Sequence, residues 1–170
     1  MVILITGASH TGKTLLAQRL IKKYGCSCLS IDLLKMGLIR SGSTALTPED
    51  DRELETYLWP IVREIIKTAI ENQQDLIVEG CYVPAHWSRD FSPSELREIR
   101  FYCLVMTRSY IETHFADIQK YACAAEQRMD DSACTKEALL ADNAAYQEMC
   151  QTWGYPCIRI DRSYEVELPE

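Results

Sequence analysis

An eight-residue segment, GASHTGKT at positions 7–14, has the residue types and the spacing needed to hold a phosphate. Gly7 and Gly12 allow successive backbone N–H groups to turn toward an anion. Lys13 supplies a long cation that reaches the outer phosphates of a nucleotide, and Thr14 supplies a hydroxyl ligand for Mg²⁺. The alternative is an ordinary glycine-rich turn in which Lys13 is solvated, so the flanking segments must decide.

Both flanking segments favour phosphate binding. VILIT (2–6) is a continuous apolar run, typical of a strand buried on both faces. After the loop, Leu16, Leu20 and Tyr24 recur at helical spacing, and Gly25 offers a helix stop. A helix that begins at the loop directs its free N–H groups and its positive dipole end at a bound phosphate. We therefore predict a nucleotide-binding loop with these contact residues: Gly7, His10, Thr11, Gly12, Lys13, Thr14 and Leu15.

Two carboxylates come at the ends of the next apolar runs. Asp32 ends CSCLSID (26–32), the predicted second strand, and Glu79 lies at the end of the third, DLIVEG (75–80). Ligands bind beyond the carboxyl ends of parallel strands, so both face the same crevice as the loop. We predict that Glu79 binds Mg²⁺ through water or positions the nucleophile; it could instead cap a turn. Asp32 is predicted to align a substrate hydroxyl, a role compatible with capping the helix that follows.

Helices and strands alternate along the rest of the chain. A helical stripe from Leu54 to Ala69 contains Pro60, which cannot donate a backbone hydrogen bond, so we expect a kink or break there. SPSE (92–95) and SYIE (109–112) each resemble a capping box that opens a helix. The remaining predicted elements are strands at 99–106 and 156–161 and helices near 110–129 and 135–152. The alternation predicts an α/β fold whose parallel sheet is covered by helices on both faces.

Composition narrows the classes of partner. The 170 residues carry a net charge of −7 and contain no run of basic residues, which argues against nucleic acid and anionic membranes. Apolar stretches fall short of the ~20 residues that span a bilayer, and no signal peptide is evident, so we expect a cytoplasmic protein. The eight cysteines lack the paired spacing of zinc sites and are typical of reduced, buried thiols.

Three segments together resemble the small-molecule kinase branch of the P-loop proteins: GASHTGKT, SIDLLKMGLIRSG and LIVEGCYVPAHW. They are similar to 2-phosphoglycerate kinase-like and adenylate kinase-like proteins, and zeta-toxin-like sugar-nucleotide kinases share the outline. In the first of these groups, a Glu-Gly pair followed by Pro ends the third strand, here Glu79, Gly80 and Pro84. An Asp followed by an Arg-bearing helix ends the second strand, here Asp32 and Arg40.

The resemblance implies a single P-loop NTPase domain over residues 1–170, a three-layer sandwich around a five-stranded parallel sheet in the order 2-3-1-4-5. It also implies bound ATP and Mg²⁺, a substrate-binding insertion at 33–72 and a helical lid at 110–135. Arg128 is the one arginine between 110 and 152, and we expect it to close over the transferring phosphoryl group. The family leads us to expect more lid arginines than this chain has.

Further cations and one histidine complete the predicted site. Arg40 is expected to anchor any anionic group on the acceptor, and Arg108, just past the fourth strand, offers a second cation. Arg162 follows the last strand, where related kinases wrap the adenine base, and is expected to stack on it. His86 beside Trp87 either lines the acceptor pocket or belongs to the packing.

These residues together predict an ATP-dependent phosphotransferase that acts on a small hydroxylated or phosphorylated metabolite. A zeta-toxin-type sugar-nucleotide kinase and a non-catalytic nucleotide-binding regulator remain as alternatives. A GTPase switch is disfavoured because the chain has neither a D-x-x-G nor an N-K-x-D segment. The acceptor and the oligomeric state do not follow from the sequence.

Overall fold

A computed structural model describes residues 1–121 and 134–166. Five parallel strands form one sheet in the order β2-β3-β1-β4-β5, which confirms the predicted order. The strands are β1 (Val2–Gly7), β2 (Ser27–Ser30), β3 (Leu76–Glu79), β4 (Ile99–Met106) and β5 (Cys157–Ile160). The helices of the described residues are α1 (Lys13–Tyr24), α2 (Ile31–Arg40), α3 (Asp51–Glu71), α4 (Pro93–Leu96), α5 (Arg108–Tyr121) and α6 (Lys136–Trp153), with a 3₁₀ turn at Trp87–Asp90.

The central strand β1 is buried on both faces, which explains why helices cover the sheet on each side. All six of its residues are buried, and alternate side chains point to opposite faces of the sheet. Leu4 packs in the same cluster as Leu58 and Val62 of α3, whereas Ile5 packs with Leu16 of α1 on the other face. Burying a side chain of this size stabilises the fold by about 1.5–3 kcal/mol. Helices therefore cover both faces, and the predicted sandwich is confirmed.

Strand register brings the predicted site residues to one edge of the sheet. Glu79 at the end of β3 pairs with Ile5 of β1 on one side and with Ser30 of β2 on the other. At the end of β1, Gly7 lies against β4 so closely that a Cβ there would meet the Leu104 carbonyl oxygen at 2.2 Å. Glycine at position 7 thus allows β1 and β4 to lie this close together at the point where the phosphate loop begins.

Several predicted element boundaries are corrected. β2 ends at Ser30, not at Asp32, and Asp32 is the second residue of α2. Helix α3 runs through Pro60 without a break. Around 92–95, the predicted capping box is confirmed, since Ser92 and Glu95 hydrogen-bond reciprocally. At the second predicted box, the prediction is wrong: α5 begins at Arg108, before the Ser109 that was expected to cap it.

The two predicted subregions remain predictions. The segment 33–72 forms most of α2 and all of α3, and α3 contributes Leu54, Leu58 and Val62 to the main core. The predicted lid begins within α5, while Arg128 lies outside the described residues. Within residues 1–121 and 134–166, no helix combines the length and apolar character that crossing a membrane requires.

Candidate active site

A cavity of about 1250 Å³ opens at the carboxyl ends of the strands. Residues 8–10 and 12–15 of the phosphate loop and α1 form one wall. The other walls come from α2, α3, α5, α6, the residues after β3 and the segment after β5. This is where ligands bind in open α/β sheets, at the point where neighbouring strands connect in opposite directions.

Backbone carbonyls of the phosphate loop bind the side chain of the loop's own lysine, Lys13. The Lys13 Nζ donates hydrogen bonds to the carbonyl oxygens of Gly7 at 3.0 Å and Ala8 at 2.9 Å. Only 7% of Lys13 is exposed, and α1 begins at this residue. The first N–H groups of a helix have no partner within it. A buried ammonium group and free amides at one helix end form a site for an anion.

A hydroxyl and a carboxylate meet beside this loop. The Thr14 Oγ1 donates to Glu79 Oε2 at 3.3 Å, and Glu79 is 3% exposed. Burial raises the pKa of Glu79 above its ordinary value, although a hydrogen bond from Ser30 and the charge of Lys13 oppose the shift. The carboxylate is therefore desolvated but faces a cation and two hydroxyl groups.

This donor set fits Mg²⁺ bound together with a nucleotide. Mg²⁺ is usually held by one or two protein oxygens plus substrate phosphates and water, not by a cage of protein ligands. Thr14 and Glu79 supply oxygens of this kind next to the loop. In the described parts of the chain, no group of three His, Cys, Asp or Glu side chains could hold a metal by itself.

A second hydrogen-bonded group lies on the cavity wall formed by α2, α3 and the residues after β3, which we call the acceptor side because the sequence predicts the acceptor there. Lys35 Nζ contacts Asp32 Oδ1 at 3.0 Å and donates to Tyr82 Oη at 3.1 Å, and Tyr82 Oη donates to Asp51 Oδ1 at 2.9 Å. Burial lowers the pKa of Lys35, but the charge of Asp32 and the bonds to both partners raise it by more. Burial raises the pKa of Tyr82 to about 12. At neutral pH Lys35 is thus charged and Tyr82 is neutral.

Carboxylates from two helices face each other across this side. Asp142 of α6 lines the cavity, and partial burial followed by the charge of Asp51 raises its pKa. Burial likewise raises the pKa of Glu55. The described lining carries six carboxylates and three Lys or Arg side chains: Asp32, Asp51, Glu55, Glu79, Asp117 and Asp142, against Lys13, Lys35 and Arg52.

Seven of the fourteen residues predicted for the site line this cavity: His10, Gly12, Lys13, Thr14, Leu15, Asp32 and Glu79. Two further predicted loop residues, Gly7 and Thr11, do not line the cavity but form hydrogen bonds within the loop. Gly7 offers its carbonyl to Lys13, and Thr11, fully buried, donates its hydroxyl to the Ala8 carbonyl at 2.7 Å.

Four predicted residues lie elsewhere. Arg40 ends α2, about 12 Å along the helix axis from Asp32, and is exposed. Arg108 is exposed and pairs with Glu112 at 3.3 Å. Exposed Arg162 does not line the cavity. His86 is exposed as well, but close enough for its charge to lower the pKa of Glu55.

Sequence reasoning missed Lys35, Tyr82 and Asp51 on the acceptor side, and Tyr164 next to the loop. Lys35 carried a signal, because a cation three residues after Asp32 on a helix can pair with it. The other three come from separate elements, and only the fold brings them to the cavity, so no spacing in the sequence pointed to them.

Solved structures with this fold include deoxyadenosine kinase from M. mycoides, 14% identical with a TM-score of 0.55, the match covering 98% of this chain and 92% of that one. Shikimate kinase from Bacteroides thetaiotaomicron is 16% identical with a TM-score of 0.57, over 98% and 89% of the two chains. Shikimate kinase from Aquifex aeolicus is 14% identical with a TM-score of 0.51, over 98% and 88%. The fold is that of the P-loop small-molecule kinases.

This P-loop kinase fold is established by structure alone. No family model matches the chain, and no curated protein matches it in sequence. At such low identity the likeness extends to the fold alone, so the acceptor side must be interpreted from this chain's own residues.

Proposed function

We propose that the protein is an ATP-dependent phosphotransferase that transfers the γ-phosphoryl group to a hydroxyl of a small molecule. The observation that carries the proposal is one continuous cavity with two chemically different ends. One end holds Lys13, Thr14 and Glu79, and the other holds Asp32 in its contact with Lys35. A structure of the M. mycoides kinase with bound dATP, at a TM-score of 0.53, supports the binding of a nucleoside triphosphate.

At the phosphate end, the chain supplies position and positive charge. Lys13, which bonds two loop carbonyls, would redirect its ammonium group to the β- and γ-phosphates, next to the amides of α1. Thr14 and Glu79 would hold Mg²⁺, directly and through water, and the bound ion supplies neutralisation of phosphate charge.

At the acceptor end, Asp32 would align the substrate hydroxyl and accept its proton. The new bond joins the acceptor oxygen to the γ-phosphorus, and the bond from that phosphorus to the ADP oxygen breaks. Lys35 fixes the carboxylate at 3.0 Å and is itself held by Tyr82, so the aligning group has a defined direction. Arg128 remains the proposed lid residue for the transferring group.

The charges of the acceptor end favour a hydroxylated substrate that is neutral or carries an amine. Asp51, Glu55 and Asp142 line this region, and a phosphate on the acceptor would be repelled by them. Arg40 and Arg108 were predicted to supply positive charge for an anionic acceptor, and neither of them lines the cavity. The phosphorylated acceptors of the initial prediction and a sugar nucleotide are therefore less favoured.

The net charge of −7 also supports an enzyme of small metabolites with no nucleic-acid or membrane partner, and we propose that it acts in the cytoplasm. A regulator that binds ATP without catalysis would not need the Asp32–Lys35 pair on the acceptor side. The expected cosubstrate is ATP, and the expected metal cofactor is Mg²⁺.

The test is ADP release from Mg·ATP with a panel of acceptors: nucleosides, amino sugars and other amine-bearing alcohols, nucleoside monophosphates, 2-phosphoglycerate and sugar nucleotides. We expect one uncharged or amine-bearing hydroxyl compound to raise turnover far above the basal rate. Lys13→Ala should lower that turnover by several powers of ten, because transfer depends on charge compensation at the phosphates. Stimulation only by phosphorylated acceptors would contradict the proposed substrate class, and full activity of Lys13→Ala would contradict the mechanism.

A further inference from the structure

Tyr164, four residues beyond β5, reaches back to the phosphate loop. Its Oη donates a hydrogen bond to the Thr11 carbonyl oxygen at 3.0 Å, although the two residues are 153 positions apart. A Cβ built on Gly12 would lie only 1.6 Å from the same Oη. The tyrosine hydroxyl therefore occupies the space beside Gly12, and this arrangement is possible only with glycine at position 12.

The contact determines the orientation of one amide. The Thr11 carbonyl and the Gly12 N–H belong to the same planar trans peptide, so they point in opposite directions. A carbonyl held by Tyr164 thus directs the Gly12 N–H away from the tyrosine. Gly12 has φ +81°, a region that glycine adopts as readily as its mirror image, so its own backbone preference does not fix the peptide.

The rest of the loop is held by other means. Lys13 Nζ bonds the carbonyls of Gly7 and Ala8, and the Thr11 hydroxyl bonds the Ala8 carbonyl. These bonds come from within the loop, whereas the Thr11 carbonyl is held from outside by Tyr164. Burial raises the pKa of Tyr164, which keeps its hydroxyl a donor at neutral pH.

We infer that Tyr164 is a positioning residue that keeps the Gly12 N–H directed toward the nucleotide phosphates. The inference rests on the proposed function in one respect, namely that a triphosphate binds at this loop. It assigns a role to the segment after β5 that differs from contact with the base, since the hydroxyl acts through the peptide of the loop. Removing it leaves the 11–12 peptide free to adopt other orientations, each without a phosphate-directed amide.

The test removes the hydroxyl and keeps the ring. Binding of Mg·ATP and of inorganic tripolyphosphate is measured by calorimetry for the wild type, Tyr164→Phe and the control Tyr24→Phe, which makes the same change at the far end of α1. We expect Tyr164→Phe to bind both ligands about three- to tenfold more weakly, the effect of one lost hydrogen bond. Tyr24→Phe should bind both like the wild type, and in turnover the Tyr164 variant should show a raised KM for ATP.

A spectroscopic measurement follows the peptide itself. The sequence has two Thr-Gly pairs, Thr6-Gly7 and Thr11-Gly12, so labelling threonine carbonyls with ¹³C and glycine amides with ¹⁵N selects two peptides. Tripolyphosphate should shift the Gly12 amide signal strongly in the wild type and less in Tyr164→Phe. The Gly7 signal, from the start of the same loop, reports in both proteins that the ligand is bound.

Three outcomes would overturn the inference. Wild-type affinity of Tyr164→Phe for tripolyphosphate and ATP would show that the contact does not orient the loop. Weaker ATP binding with unchanged tripolyphosphate binding would assign Tyr164 to the nucleoside instead. Both leave the proposed function standing, whereas a wild type that binds neither ligand would overturn the proposed function and this inference together.

Discussion

Glu79 illustrates how a single residue of this site affects stability and function in opposite ways. It is 3% exposed at the end of a central strand, and burial raises its pKa. The proposed chemistry nevertheless requires the charged form, next to the Thr14 hydroxyl at 3.3 Å. The ionised carboxylate is thus retained at some cost to the free energy of folding, a common feature of functional sites.

Replacing this charge should stabilise the protein and inactivate it. We expect Glu79→Gln to raise the free energy of unfolding at pH 7.5 by about 1 kcal/mol, a size typical of single substitutions. A carboxyl whose pKa is raised by folding destabilises the folded state only once it ionises. The gain should therefore shrink as the pH falls toward about 4.3, the pKa of an unfolded glutamate.

Urea unfolding at pH 4.5 and 7.5 measures this difference, and phosphoryl transfer is assayed on the same samples. Glu148→Gln, an exposed position on α6, is the matched control and should show neither effect. A Gln variant that is less stable than the wild type at pH 7.5 would mean that the bonds of Glu79 to its neighbours outweigh its burial.

At the residue scale, the sequence predicts the phosphate end of the site better than the acceptor end. The loop residues act through a continuous backbone segment, so their order in the chain determines their geometry. Tyr82 contacts Asp51, and Tyr164 contacts the loop, only because the fold brings together elements that are distant in the chain. Arg162 was the natural choice after β5, but Tyr164 is the residue that lines the cavity.

Among the elements, α3 tolerates a proline that the sequence pattern suggests should interrupt it. Pro60 lies inside a continuous 21-residue helix, where it removes one hydrogen bond and crowds the preceding turn. Leu54, Leu58, Val62 and Ile66, all fully buried, anchor the helix on both sides of the proline. Burial of this face offsets the local cost, so tertiary packing decides against the predicted break.

Restoring the missing donor should therefore increase stability. Pro60 is exposed, so Pro60→Ala leaves the core volume unchanged, and we expect a gain of about 1–2 kcal/mol in the free energy of unfolding. Pro93→Ala is the control, because Pro93 lies at the first turn of α4, where proline has no backbone partner to lose. Thermal unfolding of both variants checks this, and a Pro60→Ala protein that melts below the wild type would contradict it.

The end of β2 and the start of α5 differ from the sequence prediction because contacts with distant strands determine both boundaries. β3 ends at Glu79, the partner of Ser30, so β2 has no ladder beyond that residue and the chain turns into α2. At α5, the Thr107 hydroxyl accepts from the Tyr110 amide and donates to Asp161 after β5. Both boundaries depend on strands distant in sequence, which local capping patterns do not contain.

For the whole molecule, the order of buried apolar runs and helical stripes was sufficient to predict a parallel α/β sheet, whereas the strand order came from the resemblance of three segments to P-loop kinases. The five-stranded fold, in the order 2-3-1-4-5, is similar to that of kinases that are only 14–16% identical. Such a sheet places one cavity at its carboxyl edge, with the phosphate loop on one wall. The remaining walls come from α2, α3, α5 and α6, and the charges on them, on which the proposed choice of acceptor rests, cannot be inferred from strand order.

The central claim is that this loop holds the phosphates of ATP, and equilibrium titration with Mg·ATP tests it most directly. We expect saturable binding by the wild type and binding weaker by about ten- to a hundredfold in Lys13→Ala, because one charge-assisted contact is lost. Lys22→Ala, an exposed lysine in the last turn of the same helix, should bind like the wild type. No binding by the wild type, or equal affinity in Lys13→Ala, would contradict the account.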